Sequence, residues 1–460
     1  MAYTTIDDPT IYFNTKLYAG NGSTNAISGV GFQSDFVWLK DRTAGNSHKQ
    51  YDGVRGATKY LISDATSAEA TQSNGLTSFD SDGFTLGSYS GTNNSSNNYV
   101  SWNWLAGGTA PAITYSVKVV SDSGNKYRFD DFGTSAVTLD LQEGGTYTFD
   151  QSDSSNSGHP LRFSTTSNGT HGGGSEYTTG VVTNGTPGSS GAYTRITVAA
   201  SAPTLYYYCT QHSGMGGQAN TNSTFGSSNF SGSIQSTVSA NTTTGFSILS
   251  YTGTGSSTTV GHGLGVAPSM LIFKNRDSTD SWNVQHDGLT SYDYYVRLNS
   301  TGAQNNDIDV GNSAPTSTVV SVGSHAQQNG NGNDMILYTF AEKKGYSKFG
   351  SYTGNGNSDG TFVYTGFKVS WVMSKRIDGS GNSWRIFDNK RPGFNTSSFK
   401  FIHANLTNAE DTGDVMDLNG NGFKIRTNSS DQNSSGATYI YMAFAESPFV
   451  NSNGIPTNAR

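Results

Sequence analysis

Charged side chains are scarce in this sequence of 460 residues, at 13% of the composition, and only six of the 34 acidic residues are Glu. Stretches rich in Ala, Leu, Glu and Lys at helical spacing are missing, so long helices are not expected. There is one Cys, which excludes an intrachain disulfide. Stability must therefore come from packing, from oligomerisation or from a metal.

Three further absences narrow the range of functions. The net charge is −7 and the 27 Lys and Arg are scattered, which argues against nucleic acid as a partner. No run of 18 apolar residues occurs, so membrane insertion is not expected, and residues 1–9 lack the basic and apolar regions of a secretory signal. In contrast, 25 Tyr and 24 Phe place the chain outside the composition of disordered proteins.

Three related segments of about 100 residues, at 9–108, 243–343 and 346–449, repeat along the chain. Each opens with an aromatic residue before a Gly turn and continues with an apolar run that ends in Lys. An Asp follows 12 or 13 residues later, and a closing strand has apolar residues at alternate positions. These positions are Lys40, Asp52, Val100, Trp102 and Trp104; Lys274, Asp287, Ile336, Tyr338 and Phe340; and Lys375, Asp388, Ile440, Met442 and Phe444.

The repeated segments predict an all-β fold. Their short strands are separated by Asn-Gly, Asp-Gly and Gly-Ser turns, and one face of each strand is apolar, as in an antiparallel β-sandwich whose strands present one face to the core. An unrelated block separates the first two repeats. We therefore predict a β-sandwich at 1–110, an inserted domain at 111–232, a linker with the second sandwich at 233–345, and the third sandwich with a tail at 346–460.

Four stretches of the sequence resemble structural proteins of marine bacteriophages. They are residues 2–9, 36–42, 232–241 and 261–268. Those proteins carry tandem sandwich domains similar to concanavalin and laminin G, usually in tail appendages or other parts of the virion. The resemblance implies a virion protein, and no catalytic residues come with it.

The inserted block holds the single Cys, and potential metal ligands accompany it. Cys209 ends an apolar strand and is followed by His212 and Met215 at the spacing C-x2-H-x2-M, while His159 comes 50 residues earlier, after another strand. Two imidazoles, a thiolate and a weak thioether are the ligands of a blue-copper centre. The pattern predicts a copper site at these four residues, whereas His171, in a Gly-rich stretch, is expected in a solvated loop.

This block resembles the cupredoxin family, in its short-loop amicyanin and pseudoazurin type. The resemblance implies that His159 and His212 are nitrogen ligands, Cys209 the thiolate and Met215 the axial ligand. Pro160 departs from the family pattern, in which Asn follows the first His and helps to tie the two ligand loops together. Because Pro160 has neither an amide proton nor a polar side chain, weaker support of the ligands is expected. A packing role for the four residues is the alternative.

Other motifs favour structural roles. Residues 417–422 begin like a calcium loop but lack the bidentate Glu at position 12, so a hairpin turn is predicted. Glu342 and Glu446 occupy equivalent places in two repeats, which indicates structure rather than a glycosidase pair. Trp282 and Trp384 could stack on sugars, although packing in a core or between subunits is the stronger interpretation.

The leading functional hypothesis is a non-enzymatic virion protein, assembled in the host cytoplasm and released by lysis. Within the virion, a tail fibre or similar appendage is favoured, with a capsid-exterior decoration or fibre as the alternative. A copper redox protein and a polysaccharide depolymerase are hypotheses from other classes. The expected partners are other virion proteins and host-surface glycans, and a homo-oligomer is expected, with a trimer favoured.

Overall fold

A computed structural model describes residues 3–108, 110–222 and 224–457, and these residues are mostly in β-strands and the turns that connect them. The prediction of an all-β fold is confirmed. In the described part of the chain, the two α-helices, α1 (Ser90–Asn93) and α2 (Ala326–Asn329), have 4 residues each, so no helix has the length and apolar character to cross a membrane. Short 3-10 helices span Pro9–Ile11, Ser154–Asn156 and Gly169–Gly172.

The first repeat is a sandwich of two antiparallel sheets. Its strands are β1 (Phe13–Ala19), β2 (Asn25–Ser28), β3 (Phe36–Asp41), β4 (Lys49–Asp52), β5 (Lys59–Tyr60), β6 (Ala70–Thr71), β7 (Leu76–Asp80), β8 (Gly83–Leu86) and β9 (Asn98–Trp104). One sheet has the order β1-β9-β3-β4 and the other the order β2-β8-β7, while β5 and β6 pair separately.

The block between the first two repeats forms a sandwich of its own, which we call the inserted sandwich. Its strands are β10 (Ala112–Ser121), β11 (Asn125–Phe129), β12 (Leu139–Gln142), β13 (Thr146–Asp150), β14 (Leu161–Ser164), β15 (Glu176–Tyr177), β16 (Val181–Asn184), β17 (Tyr193–Thr197), β18 (Leu205–Cys209) and β19 (Gly217–Asn222). The two five-stranded sheets have the orders β11-β10-β13-β17-β16 and β12-β19-β18-β14-β15. They enclose their own hydrophobic cluster, which includes Tyr147, Phe149 and Cys209.

The second repeat begins after a linker that extends its main sheet. The strands are β20 (Ser227–Asn229), β21 (Ser236–Asn241), β22 (Phe246–Thr252), β23 (Thr258–Gly261), β24 (Met270–Asn275), β25 (Asn283–His286), β26 (Tyr294–Arg297), β27 (Asn305–Asn306), β28 (Val319–Val322) and β29 (Asp334–Phe340). The main sheet has the order β20-β21-β22-β29-β24-β25-β26-β27, and β23 pairs with β28.

The third repeat completes the chain. Its strands are β30 (Ser347–Thr353), β31 (Phe362–Tyr364), β32 (Phe367–Arg376), β33 (Arg385–Asp388), β34 (Phe399–His403), β35 (Asp411–Gly413), β36 (Met416–Asn419), β37 (Gly422–Ile425) and β38 (Thr438–Pro448). The sheets have the orders β30-β38-β32-β33-β34-β35 and β31-β37-β36.

The three repeats share both strand order and register. In each main sheet the closing strand lies between the opening strand and the strand that ends in Lys, and all of these pairs are antiparallel. The cross-strand pairs Phe36 with Trp104, Met270 with Phe340, and Trp371 with Phe444 are equivalent. The sequence motifs therefore align residues that occupy the same place in three copies of one fold.

The aromatic-Gly turn that opens each repeat has a structural role. In each repeat the Tyr hydroxyl donates to a backbone carbonyl of the segment that precedes the closing strand. The next residue of that segment is a buried Asn, whose side-chain oxygen accepts a hydrogen bond from a backbone N–H of the turn. The pairs are Tyr18 with Asn93, Tyr251 with Asn329 and Tyr352 with Asn433. A Cβ on Gly20, Gly253 or Gly354 would lie 2.1 to 2.2 Å from a carbonyl oxygen of this segment, which is why Gly is required there.

The apolar face of each closing strand points into a core that all three repeats share. Trp104, Phe340 and Phe444 belong to one hydrophobic cluster, and the rings of Phe340 and Phe444 lie 6.2 Å apart. This differs from the expectation that a single face of each strand enters the core of its own sandwich. The opposite face of the same strands fills those separate cores, as Tyr439 and Leu337 show. Both faces are therefore buried, and the repeats form one body.

Polar contacts between the repeats run in one direction around this core. The strand-end Lys of each repeat is buried and donates to backbone carbonyls, one of which belongs to a neighbouring repeat. Lys40 reaches Thr407 of the third repeat, Lys274 reaches Thr66 of the first, and Lys375 reaches Thr301 of the second. Burial lowers the pKa of each of these lysines to about 8. The three contacts close a ring with pseudo-threefold symmetry.

Indole and imidazole groups follow the same cycle. Trp282 Nε1 donates to Ile62 O at 2.8 Å, and Trp384 Nε1 donates to Arg297 O at 3.0 Å. In the first repeat His48 Nε2 lies 3.0 Å from His403 O. Trp282 and Trp384 are 0% and 1% exposed, so they pack between repeats and do not form a sugar-stacking platform.

The shared core predicts that the repeats open together. Ile386→Val in the third repeat removes one methyl group from this core and should lower the free energy of unfolding by about 1 kcal/mol. Native-state hydrogen exchange should then accelerate in β3 and β24 as well as in β32. Ile196→Val is the matched control, because Ile196 is equally buried but lies in the core of the inserted sandwich. Acceleration confined to the third repeat would contradict the shared core.

Candidate metal centre

Two strands of the inserted sandwich bring the predicted ligands together. β14 and β18 are antiparallel neighbours, with Leu161 paired to Cys209. The loop that contains His159 therefore enters the sheet at the point where the chain leaves it after Cys209, and His212 lies three residues beyond. This pairing places residues 50 positions apart in the sequence at one end of the sandwich.

The side chains of His159, Cys209 and His212 converge at that end. Cys209 Sγ lies 3.9 Å from His159 Nδ1 and 3.7 Å from His212 Nδ1. The imidazole centroids are 4.6 Å apart, and one ligand atom from each of the three residues lies within 4.8 Å of the other two. The structure thus brings together three of the four residues that the sequence predicts as ligands.

The donor set and its spacing fit a thiophilic metal ion. An ion bonded at about 2.3 Å to sulfur and about 2.0 Å to nitrogen, at a trigonal angle, would separate those two atoms by about 3.7 Å. The observed sulfur–nitrogen distances are 3.7 and 3.9 Å. Two imidazoles and one thiolate in this arrangement are the equatorial ligands of blue-copper sites.

Burial differs among the three residues in a way that suits a metal near the surface. Cys209 is fully buried, His159 is half-buried and His212 is exposed. Burial, together with the neighbouring His212, lowers the pKa of His159. The imidazole of His159 is therefore neutral at physiological pH, which leaves a ring nitrogen free to coordinate.

Met215 lies at the end of the loop that begins after Cys209 and contains His212. It is 1% exposed and belongs to the hydrophobic cluster that includes Cys209. Its backbone oxygen accepts a hydrogen bond from Tyr127 N at 3.0 Å, which fixes the end of the ligand loop against β11. The axial role of Met215 stays a prediction.

The ligand loops are tied together despite Pro160. Thr210 N, directly after Cys209, donates to Pro160 O at 3.2 Å. His159 O accepts hydrogen bonds from Tyr127 Oη at 2.8 Å and Gln151 Nε2 at 2.9 Å. The expectation of weak support overlooked the carbonyl of Pro160, which accepts a hydrogen bond although the ring has no N–H.

Asn168 and His171, which the sequence did not assign to the site, contact Cys209 and the loop that follows it. Asn168 Nδ2 donates to Ser213 Oγ at 2.8 Å, and Asn168 Oδ1 accepts from Gly214 N at 2.8 Å. His171 is exposed, as predicted for a solvated loop, but its Nε2 lies 3.0 Å from Cys209 O. The Gly-rich stretch around His171 is the sequence signal that could have marked this loop as a close neighbour.

The other candidate sites have structural roles. Residues 417–422 form the β36–β37 hairpin, in which Asn419 pairs with Gly422, so the prediction of a turn is confirmed. Glu342 pairs with Lys348 and Glu446 with Lys368 at the surface. In the described part of the chain, the cluster of His159, Cys209 and His212 is the group of His, Cys and acidic residues with metal-binding spacing.

In fold and site, this is an all-β protein of three interlocked repeats that carries a His2Cys cluster on an inserted sandwich. The chain belongs to the family described as "Domain of unknown function (DUF7483)", whose model matches residues 8–130 and 218–448. The unmatched stretch between them contains all four predicted ligands. No curated protein and no solved structure matches the chain.

Proposed function

We propose that the protein is a non-enzymatic structural component of a bacteriophage particle, in an appendage that contacts the host surface. The observation that carries this proposal is the closed ring of three repeats, joined by a shared core and by contacts in a cycle. Such a ring holds its outer surfaces in fixed positions. That suits a displayed body better than an enzyme whose domains close around a substrate. The particle itself is suggested by the resemblance to phage structural proteins.

Mass spectrometry of gradient-purified particles tests this proposal. Peptides of the chain should be present at a fixed ratio to the major capsid protein after repeated purification. Antibodies against the chain should label the tail in electron micrographs, whereas labelling of the head would favour the capsid-exterior alternative. Absence of the chain from the particles would overturn the proposal.

We also propose that the inserted sandwich binds copper. The observation that favours this second function is the convergence of His159, Cys209 and His212 with sulfur–nitrogen distances of 3.7 and 3.9 Å. A copper ion bound there would supply one-electron redox chemistry. The chain itself would contribute a buried thiolate, a neutral imidazole at His159, and loops held by Tyr127 and Asn168.

A titration with Cu(II) should produce an intense visible band from thiolate-to-copper charge transfer, because a short bond between copper and the Cys209 thiolate has this character. Cys209→Ser should abolish the band. The control variant His325→Gln changes a His of the second repeat and should keep the full intensity. If neither Cu(II) nor Cu(I) binds to the wild-type protein, the cluster has only a packing role.

The expected homotrimer is tested by light scattering at micromolar concentration. One chain has a mass of 48.8 kDa, and a trimer has three times this mass. The three repeats of one chain already form a pseudo-threefold ring, so a trimer would place three such rings around a second axis. A stable monomer would show that the ring of repeats takes the place of a trimer.

A further inference from the structure

The third repeat exposes two aromatic rings on one face of an edge strand. β31 pairs with β37 at the edge of its three-stranded sheet. Phe362 and Tyr364 are 44% and 53% exposed, whereas Val363 between them is buried. Because side chains alternate along a strand, the two rings lie on the same outer face, about 7 Å apart.

The other two repeats show that the fold does not need these rings. In the cross-strand registers Val363, Ile27 and Val260 are equivalent, since each is the buried residue at the centre of its strand pair. The flanking positions that hold Phe362 and Tyr364 are Ala26 and Ser28 in the first repeat and Thr259 and Gly261 in the second. Small or polar residues therefore suffice at these positions, and the aromatic pair is particular to the third repeat.

Tyr3 adds a third aromatic ring beside this pair. Its hydroxyl donates to Gly366 O at 2.7 Å, and a Cβ on Gly366 would lie 2.7 Å from Tyr3 Oη and 3.5 Å from Tyr364 Oη. Burial and a hydrogen bond with Tyr364 raise the pKa of Tyr3 to about 12. Two hydroxyl groups thus lie together at the end of the aromatic face. Because Tyr3 Oη donates its hydrogen to Gly366 O, it can act towards a ligand as an acceptor.

Three ion pairs neutralise most of the charges around this face, and Lys344 adds a cation whose Nζ lies 4.4 Å from the centre of the Tyr3 ring. Lys424, whose backbone pairs with Phe362, forms an ion pair with Asp359 at 2.8 Å. Arg426 lies 3.4 Å from Asp417, and Lys368 pairs with Glu446 at 2.8 Å. The paired charges suit a neutral ligand, and Lys344 disfavours a basic one.

The exposed rings are too small a surface for a stable protein partner. Two half-exposed aromatic side chains present on the order of 200 Å². A stable protein–protein interface needs roughly 800 Å² from each partner. The area suits one or two sugar units, whose apolar ring faces can stack on aromatic rings while their hydroxyls bond to polar groups at the edge.

We propose that Phe362, Tyr364 and Tyr3 form a binding site for a neutral pyranose oligosaccharide. Phe362 and Tyr364 are the stacking platform, and the hydroxyls of Tyr3 and Tyr364 bond the sugar at its end. As the host-contacting element of an appendage this site rests on the proposed function, whereas the binding itself depends on these residues alone.

Saturation-transfer NMR with three neutral hexasaccharides, cellohexaose, hexa-N-acetylchitohexaose and maltohexaose, tests the site. At least one of the three should bind the wild-type protein. The double variant Phe362→Ala, Tyr364→Ser copies the first repeat and should weaken binding by at least tenfold. The single variant Tyr364→Ser serves if the double variant fails to fold. The matched control is Ile308→Ser, which removes another exposed apolar side chain, 80% exposed, and should bind as the wild type does.

Three results would overturn this inference. The first is that none of the three oligosaccharides binds, and the second is that binding survives the double variant. The third is that the double variant abolishes self-association seen in the wild type, which would make the face a contact between copies of the chain. If the sugars fail to bind but the chain is found in purified particles, only the glycan site is refuted and the structural role stands.

Discussion

Arg391→Met should lower the free energy of unfolding by about 3 to 5 kcal/mol, because it leaves a carboxylate buried without its cation. Arg391 Nε donates to Asp388 Oδ2 at 2.7 Å, and both side chains are 0% exposed. The same carboxylate oxygen accepts from Trp102 Nε1 of the first repeat at 3.0 Å. The variant therefore weakens a contact between repeats as well as an ion pair. Urea denaturation measures the loss.

The control for this prediction is a surface ion pair between Lys348, in the first strand of the third repeat, and Glu342, at the end of the second repeat. Lys348 and Glu342 lie 3.3 Å apart with side chains 32% and 41% exposed. Lys348→Met should cost less than about 1 kcal/mol, since solvent screens the pair. Equal losses in the two variants would mean that Asp388 does not depend on Arg391 for its charge.

Asp35→Asn should remove a large pH dependence of stability. Asp35 is 0% exposed, its Oδ2 accepts from Ala106 N at 2.7 Å and Gly108 N at 3.0 Å, and its Oδ1 has no hydrogen-bond partner. Burial raises the pKa of Asp35 to about 7. The folded protein thus holds this proton more tightly than the unfolded chain. The stability from Asp35 is full below about pH 4 and is lost as the pH rises to about 7.

The difference between wild type and Asp35→Asn isolates this effect from other titrating groups. This difference in the free energy of unfolding should change by about 3 kcal/mol between pH 4 and 7, and the wild type should become less stable relative to the variant as the pH rises. Asp414→Asn, at an exposed position, should leave the pH profile unchanged. A difference that is constant across this range would show that Asp35 is ionised in the folded protein.

The sequence predicted the repeat itself well, because the motifs carry the structural constraints of each copy. The Lys at the strand end, the Gly of the opening turn and the apolar alternation of the closing strand all occupy equivalent places. The convergence of His159, Cys209 and His212 was predictable in part because Cys209 and His212 are close in sequence and their chemistry limits what they can bind.

What the sequence could not show is which surface each apolar face covers. Alternation marks a face as buried but does not name its partner, so the shared core looked like three separate ones. The repeated Asp illustrates the same limit. Asp52 and Asp388 are buried beside an Arg and accept hydrogen bonds from Tyr338 and Trp102 of a neighbouring repeat. Asp287 is exposed.

The exception at Asp287 has a physical cause. Met442 of the third repeat occupies the register position that Trp102 and Tyr338 hold in the other two repeats. A Met side chain has no hydrogen to donate, so a carboxylate buried opposite it would lack a partner from that repeat. His286 bridges this boundary instead, with Nε2 3.0 Å from Tyr441 O. Whether the repeated Asp is buried therefore depends on the residue that the neighbouring repeat places opposite it.

The cyclic order of contacts has a consequence for synthesis on the ribosome. Lys40 is 367 residues from Thr407, and Trp102 is 286 residues from Asp388. At a translation rate of about 5 to 20 residues per second, Thr407 is synthesised roughly 20 to 70 s after Lys40. During that interval the second repeat can cover Phe36, but the part of the Trp-rich face that contacts the third repeat, at Phe13 and Trp102, stays uncovered. The nascent chain therefore exposes an aggregation-prone surface until the third repeat emerges, and its yield should depend on chaperones and on translation speed.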